Sequence, residues 1–167
     1  IIRGGHNIDP ALIEEPIYKM PNIRTVAAVG RPDPHAGEVP VVYVEVAEGA
    51  NLTEKEIMDW AKENVGERAA VPKEIVITPE IPLTPVGKIF KPGLRYDATK
   101  RAYEEELHAI GDSLADYEVH VGEDKTHGTR VEIRVKPAAG TDMAAIREKI
   151  AELLKRYTLY YEVVEMT

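Results

Sequence analysis

The stretch Pro82-Leu83-Thr84-Pro85-Val86-Gly87-Lys88-Ile89-Phe90-Lys91-Pro92 holds a lysine directly after a glycine and between prolines. The prolines restrict the backbone, Gly87 permits a conformation or a close approach that other residues resist, and Lys88 presents a compact cation on a slim stem. Such a cation can meet a phosphate or a carboxylate, although on pattern alone most loop lysines are simply solvated. A second stretch, Ile1-Ile2-Arg3-Gly4-Gly5-His6-Asn7-Ile8-Asp9-Pro10, places two glycines after a strand end. There Gly4 and Gly5 either let a ligand come close to exposed amides or simply close a tight hairpin turn.

Other reactive residues form no site. His6, His35, His108, His120 and His127 show no metal-ligand spacing, so no metal centre is expected. Ile110-Gly111-Asp112-Ser113-Leu114 offers a serine, but the strand-like Asp116-Tyr117-Glu118-Val119 after it does not suit a carrier attachment site, and a hydrolase nucleophile of this kind should follow a strand early in a much longer domain. A helix-ending glycine with a polar turn accounts for it. Glu104-Glu105-Glu106 reads as a solvated helix face.

Several elements must position the glycine pair and the lysine. Asp9-Pro10 opens a short helix with Ile13 and Ile17 inward, and Ile23 to Gly30 and Val39 to Val46 read as two paired strands. Thr53-Glu54-Lys55-Glu56 is a capping box ahead of Ile57, Ala61 and Val65 at helical spacing. Glu74 to Thr78 is a short strand, the lysine loop follows, and Asp97 is expected to cap a helix running to about Ile110. Residues 97–167 then read as that helix and a β-β-α-β unit: alternating Tyr117, Val119, Val121 and Val131, Ile133, Val135, a helical stripe Ile146, Ile150, Leu153, Leu154, Tyr157, and a last strand. The expected class is α+β, a small mostly antiparallel sheet flanked by helices over residues 1–96 with this unit appended.

The 167 residues carry 44% hydrophobic and 30% charged side chains and a net charge of -8, from 21 basic and 29 acidic residues. With no basic stripe, nucleic acid is not an expected partner. The chain has no cysteine, which excludes disulfides and fits the cytoplasm as the default compartment. No apolar run approaches the roughly 20 residues that span a bilayer. The first residue is Ile1, not methionine, which raises the expectation of a piece of a longer protein.

Three motifs occur in order. Gly4, Gly5, Asn7 and Ile8 lead into Pro10, Ile13 and Glu14; Gly30, Pro32, Asp33, Gly37 and Glu38 form a loop; Pro82, Thr84, Gly87, Lys88, Ile89 and Lys91 close the series. Together they resemble the small C-terminal domain of the AMP-forming adenylate ligases, the superfamily of acyl-CoA synthetases, luciferases and peptide-synthetase adenylation domains. The resemblance implies that a carboxylic acid attacks the α-phosphate of ATP with Mg, and that coenzyme A then displaces AMP. It implies Lys88 as the catalytic cation of the first step on a loop shaped by Gly87. It implies Gly4 and Gly5 as a backbone wall of the tunnel for the coenzyme A pantetheine arm. The implied partner is an N-terminal adenylation domain of the same polypeptide, without which the chain would be inactive; a homo-oligomer is left open. The stretch Arg68-Ala69-Ala70-Val71 departs from the aromatic or basic residue often found there, leaving Arg68 or Lys73 to meet the coenzyme A nucleotide. The alternative is a stand-alone binding module that keeps the fold without the catalysis.

Overall fold

The computed structural model describes residues 1–167, which form two units, Ile1–Ala98 and Thr99–Thr167. In the first unit β1 (Ile2–Arg3) and β2 (His6–Asn7) precede α1 (Ala11–Tyr18), β3 (Ile23–Asp33), β4 (Gly37–Val46), α2 (Glu54–Asn64) and β5 (Glu74–Ile77). The sheet runs β2-β1-β4-β3, with β5 also paired to β4 and parallel to it. Only that pairing is parallel. The strand β3 has β4 as its single partner and so forms an edge.

Successive strand residues point to opposite faces. Val26, Ala28, Val42 and Val44 therefore bury one face against Ile13 and Ile17 of α1 and Ile57 and Ala61 of α2. Ala27, Val29, Val41 and Tyr43 bury the other against Ile81, Leu94 and Ala98. Covering both faces explains why Val39 to Val46 reads as a nearly continuous apolar run instead of an alternating one. The capping box of α2 is formed, with the Glu56 amide donating to Thr53 Oγ1 at 3.2 Å and the Thr53 amide to Glu56 Oε2 at 2.8 Å. Trp60 joins α2 to α1 by donating its indole N–H to the Pro16 carbonyl at 2.9 Å.

The helix α3 (Lys91–His108) differs from the sequence reading at its start. Asp97 does not cap it; the helix begins at Lys91, and Asp97 lies inside it, accepting the Tyr43 hydroxyl at 2.7 Å. Pro92 is tolerated because the amides of a first helical turn have no intrahelical acceptor to lose.

The second unit contains β6 (Leu114–Asp124), β7 (Gly128–Pro137), α4 (Met143–Leu154) and β8 (Tyr160–Glu165). The hairpin β6–β7 is antiparallel, and β8 returns through α4 to lie parallel beside β7. Its core joins Val119, Val131, Ile133 and Val135 to Ile146, Ile150 and Leu154 of α4 and to Ala102, Tyr103 and Leu107 of α3. No helix is long and apolar enough to cross a membrane.

Candidate catalytic and ligand-binding site

The lysine stretch folds into a small hairpin. Leu83 bridges Ile89 in antiparallel fashion, the Phe90 amide donates to the Pro82 carbonyl at 2.7 Å, and the Thr84 amide donates to the Lys88 carbonyl at 2.6 Å. At the tip the Gly87 amide donates to the Thr84 carbonyl at 2.9 Å, and Gly87 has φ +82°. A left-handed residue in last place is the usual solution for a three-residue hairpin loop, and glycine adopts it without steric cost. A Cβ at Gly87 would meet nothing within 4 Å, so the glycine serves conformation and not space.

The Lys88 side chain leaves this hairpin exposed and without an ion-pair partner, whereas Lys91 is paired with Glu14 at 3.2 Å. Val86, Leu83 and Phe90 surround the tip with apolar surface, Val86 being 81% exposed. A free cation on a stiff projection can pair with an anion, and apolar surface beside it can shield such a pair from water.

The glycine pair forms the loop of a second hairpin, in which Ile2 pairs with Asn7 and Arg3 with His6. Gly4 and Gly5 have φ +56° and +83°, the signature of a two-residue turn matched to strand twist. Here too a Cβ would find open space within the chain, so anything approaching these backbones comes from outside it. The Gly4 amide donates to the Ala36 carbonyl at 2.7 Å, which ties the turn to the loop Asp33–Gly37.

That loop is shaped by carboxylates. Asp33 Oδ1 accepts the amides of His35 at 2.9 Å and Ala36 at 2.8 Å. Partial burial pushes the Asp33 carboxyl up, but these amides and nearby Lys73 outweigh it and hold the group below the usual carboxylate range. Glu38 Oε2 accepts the Ile2 amide at 2.8 Å, and its carboxylate crosses Gly30 so closely that a Cβ there would lie 2.6 Å from Glu38 Cδ. Gly30 therefore makes room for Glu38, and the first two motifs are one interlocked piece.

Beside it lies a groove lined by Arg3, Lys62, Arg68, Val71, Pro72 and Lys73. Arg3 is anchored there by donating from Nη1 to the Ala69 carbonyl at 2.8 Å, and Lys73 faces Asp33 at 3.8 Å. Four cations converge from three segments, which suits a polyanionic ligand. Arg68 and Lys73 were visible as candidates in the sequence; Lys62 was not, because nothing in its helical context separates it from a solvated lysine.

The fold thus joins Gly4 and Gly5 to the Asp33–Gly37 loop, and Lys88 to Gly87. No hydrogen bond or ion pair joins the two hairpins to each other. No group of three or more His, Asp or Glu side chains is placed to hold a metal ion.

Residues 12–88 match the AMP-binding enzyme C-terminal domain family. The chain is 43% identical over 150 residues to the marinolic acid–CoA ligase of Pseudoalteromonas sp. (strain SANK 73390), a match covering 90% of this chain and 22% of that protein. Among solved structures, a Mycobacterium tuberculosis fatty acyl CoA synthetase superposes with a TM-score of 0.53 at 34% identity, over 58% of this chain and 19% of that one. The amide bond synthetase McbA of Marinactinospora thermotolerans does so with a TM-score of 0.53 at 32% identity, over 57% and 19%. The chain spans about a fifth of the length of each of these proteins.

Proposed function

Because residues 12–88 belong to the AMP-binding enzyme C-terminal domain family, we propose that the chain is the C-terminal lid of an AMP-forming acyl-CoA ligase. Its partner is an N-terminal adenylation domain of the same polypeptide, and the chain alone is inactive. The substrate is a carboxylic acid, fatty or aryl, and the setting is cytoplasmic. Residues 1–96 carry the chemistry, and residues 97–167 extend the fold.

The observation that carries this reading is Lys88, an unpaired cation at the base of a rigid, apolar-rimmed hairpin tip. In the first step a carboxylate oxygen attacks the α-phosphorus of ATP and pyrophosphate leaves, so negative charge grows on the α-phosphoryl oxygens. A preorganised cation in a dry cleft lowers that barrier, and losing one such donor costs on the order of 100- to 1000-fold in rate. Magnesium would enter with the nucleotide and be held mainly by the partner domain.

In the second step the thiol of coenzyme A attacks the acyl carbonyl and AMP leaves. The Gly4–Gly5 turn, open on its outer side, forms the wall along which the pantetheine arm passes. The groove of Arg3, Lys62, Arg68 and Lys73 receives the nucleotide phosphates, its charge opposite to theirs.

The test uses the full-length ligase. Pyrophosphate exchange across a panel of carboxylic acids identifies the acid, and omission of coenzyme A identifies the acceptor. Lys88→Ala is expected to cripple exchange while sparing thioester formation from supplied acyl-adenylate. An equal fall in both half-reactions, with the fold intact, would overturn the assigned role.

A further inference from the structure

Glu14 lies on α1, yet its carboxylate binds two other elements. Oε2 accepts the Ala28 amide at 3.1 Å, and Ala28 belongs to the edge strand β3. Oε1 accepts Lys91 Nζ at 3.2 Å, with the two side chains only 21% and 29% exposed. The helix α1 covers one face of the sheet, while Leu94 and Ala98, which follow Lys91, cover the other. Glu14 therefore reaches the rim of the sheet and fastens the two layers together where the lysine hairpin ends.

The other foot of the hairpin is fastened as well. Glu45, 8% exposed, accepts the Ile81 amide at 2.5 Å, and Ile81 is itself buried. Between these feet the residues Pro82 to Phe90 project. Pairing Lys91 with Glu14 has a second effect: it withdraws one of two neighbouring cations and leaves Lys88 as the unpaired one.

We propose that Glu14 and Lys91 are positioning residues for Lys88, their ion pair aiming the hairpin for adenylation while having no part in thioester formation. This rests on the reading of Lys88 as the cation of the adenylation step. In the full-length ligase, Lys91→Met keeps the stem and removes the charge, and Glu14→Gln keeps an acceptor for the Ala28 amide and removes the ionic partner. Each is expected to lower kcat of pyrophosphate exchange on the order of tenfold to a hundredfold, the cost of misplacing a reacting group by about an ångström. KM for ATP and thioester formation from supplied acyl-adenylate should stay unchanged. Lys91→Arg should restore exchange to within about twofold, since a guanidinium keeps the charge-assisted bond.

Folding is followed by thermal melting, and either variant carries the test if the other does not fold. Unchanged kcat in a folded variant, or an equal loss in both half-reactions, overturns the positioning role. Lys88→Ala run alongside separates the two ideas. If it spares exchange, the reading of Lys88 falls and the positioning role with it; if it abolishes exchange while Lys91→Met does not lower it, only the positioning role falls.

Discussion

Thr84 and Lys88 are bound to each other twice: the Thr84 amide donates to the Lys88 carbonyl at 2.6 Å, and the Lys88 amide donates to Thr84 Oγ1 at 3.1 Å. The backbone carrying the candidate catalytic cation is thereby fixed by a single residue across the turn, one bond from its main chain and one from its side chain.

Thr84→Val removes the hydroxyl and keeps the shape. The lost hydrogen bond is worth about 1 kcal/mol at most on an exposed loop, so the melting temperature should hardly move. Pyrophosphate exchange in the full-length ligase should fall roughly tenfold through loosened aim, and Thr84→Ser should recover it.

Gly5→Ala and Gly87→Ala place a Cβ in open space at φ +83° and +82°. The cost is conformational only, about 1–2 kcal/mol each. Their functional effects should separate: Gly87→Ala slows pyrophosphate exchange, and Gly5→Ala slows thioester formation from supplied acyl-adenylate. Half-reaction rates of the two variants, measured side by side, check this.

Asp33 should give the first unit an acid-sensitive loop. Its folded carboxyl titrates below the ordinary value of 3.8. Its stabilisation is therefore complete above that value and lost as pH falls through the lower folded one. Asp33→Ala removes the acceptor for the His35 and Ala36 amides, so it should lower the melting temperature near neutral pH. It should also flatten the decline seen from about pH 4 downward, where acid titrates such groups. Melting curves of both proteins across that range decide it.

Tyr103 is fully buried in the second unit, and its hydroxyl has no hydrogen-bond partner. Burial first, and neighbouring Tyr161 second, push the phenol well above its ordinary range, so it stays neutral. An unpaired buried hydroxyl costs on the order of 1 kcal/mol or more, and its ring already packs on Tyr157 at 5.1 Å between centroids. Tyr103→Phe should therefore stabilise the chain in urea unfolding; destabilisation would reveal a partner for the hydroxyl.

Much of this was legible from residue order alone. The capping box at Thr53 and Glu56, the strand runs around Ala28 and Val42, and the β-β-α-β pattern of the second unit are local patterns, and local patterns survive folding. The turns at Gly4–Gly5 and Gly87 belong to the same class, because positive φ is a property of one residue. The start of α3 was missed for the opposite reason. Asp97 is a good cap in isolation, but the distant Tyr43 hydroxyl takes its carboxylate, and burial of Leu94 extends the helix back to Lys91. Glu14 and Glu38 stood in recognised motifs without a role, since their partners lie far along the chain.

The sequence by itself determined the alternation of apolar residues, the positions that only glycine occupies without strain, and the presence of one lysine on a stiff loop. These depend on side-chain chemistry and on backbone dihedrals near each residue. Tertiary structure alone decided which carboxylate meets which cation: that Glu14 takes Lys91 and leaves Lys88 free, that Glu38 fills the space over Gly30, and that Arg3, Lys62, Arg68 and Lys73 share a groove. Such pairings hinge on separations of a few ångströms between residues that are not neighbours along the chain, and only packing the helices and hairpins onto one sheet sets those distances.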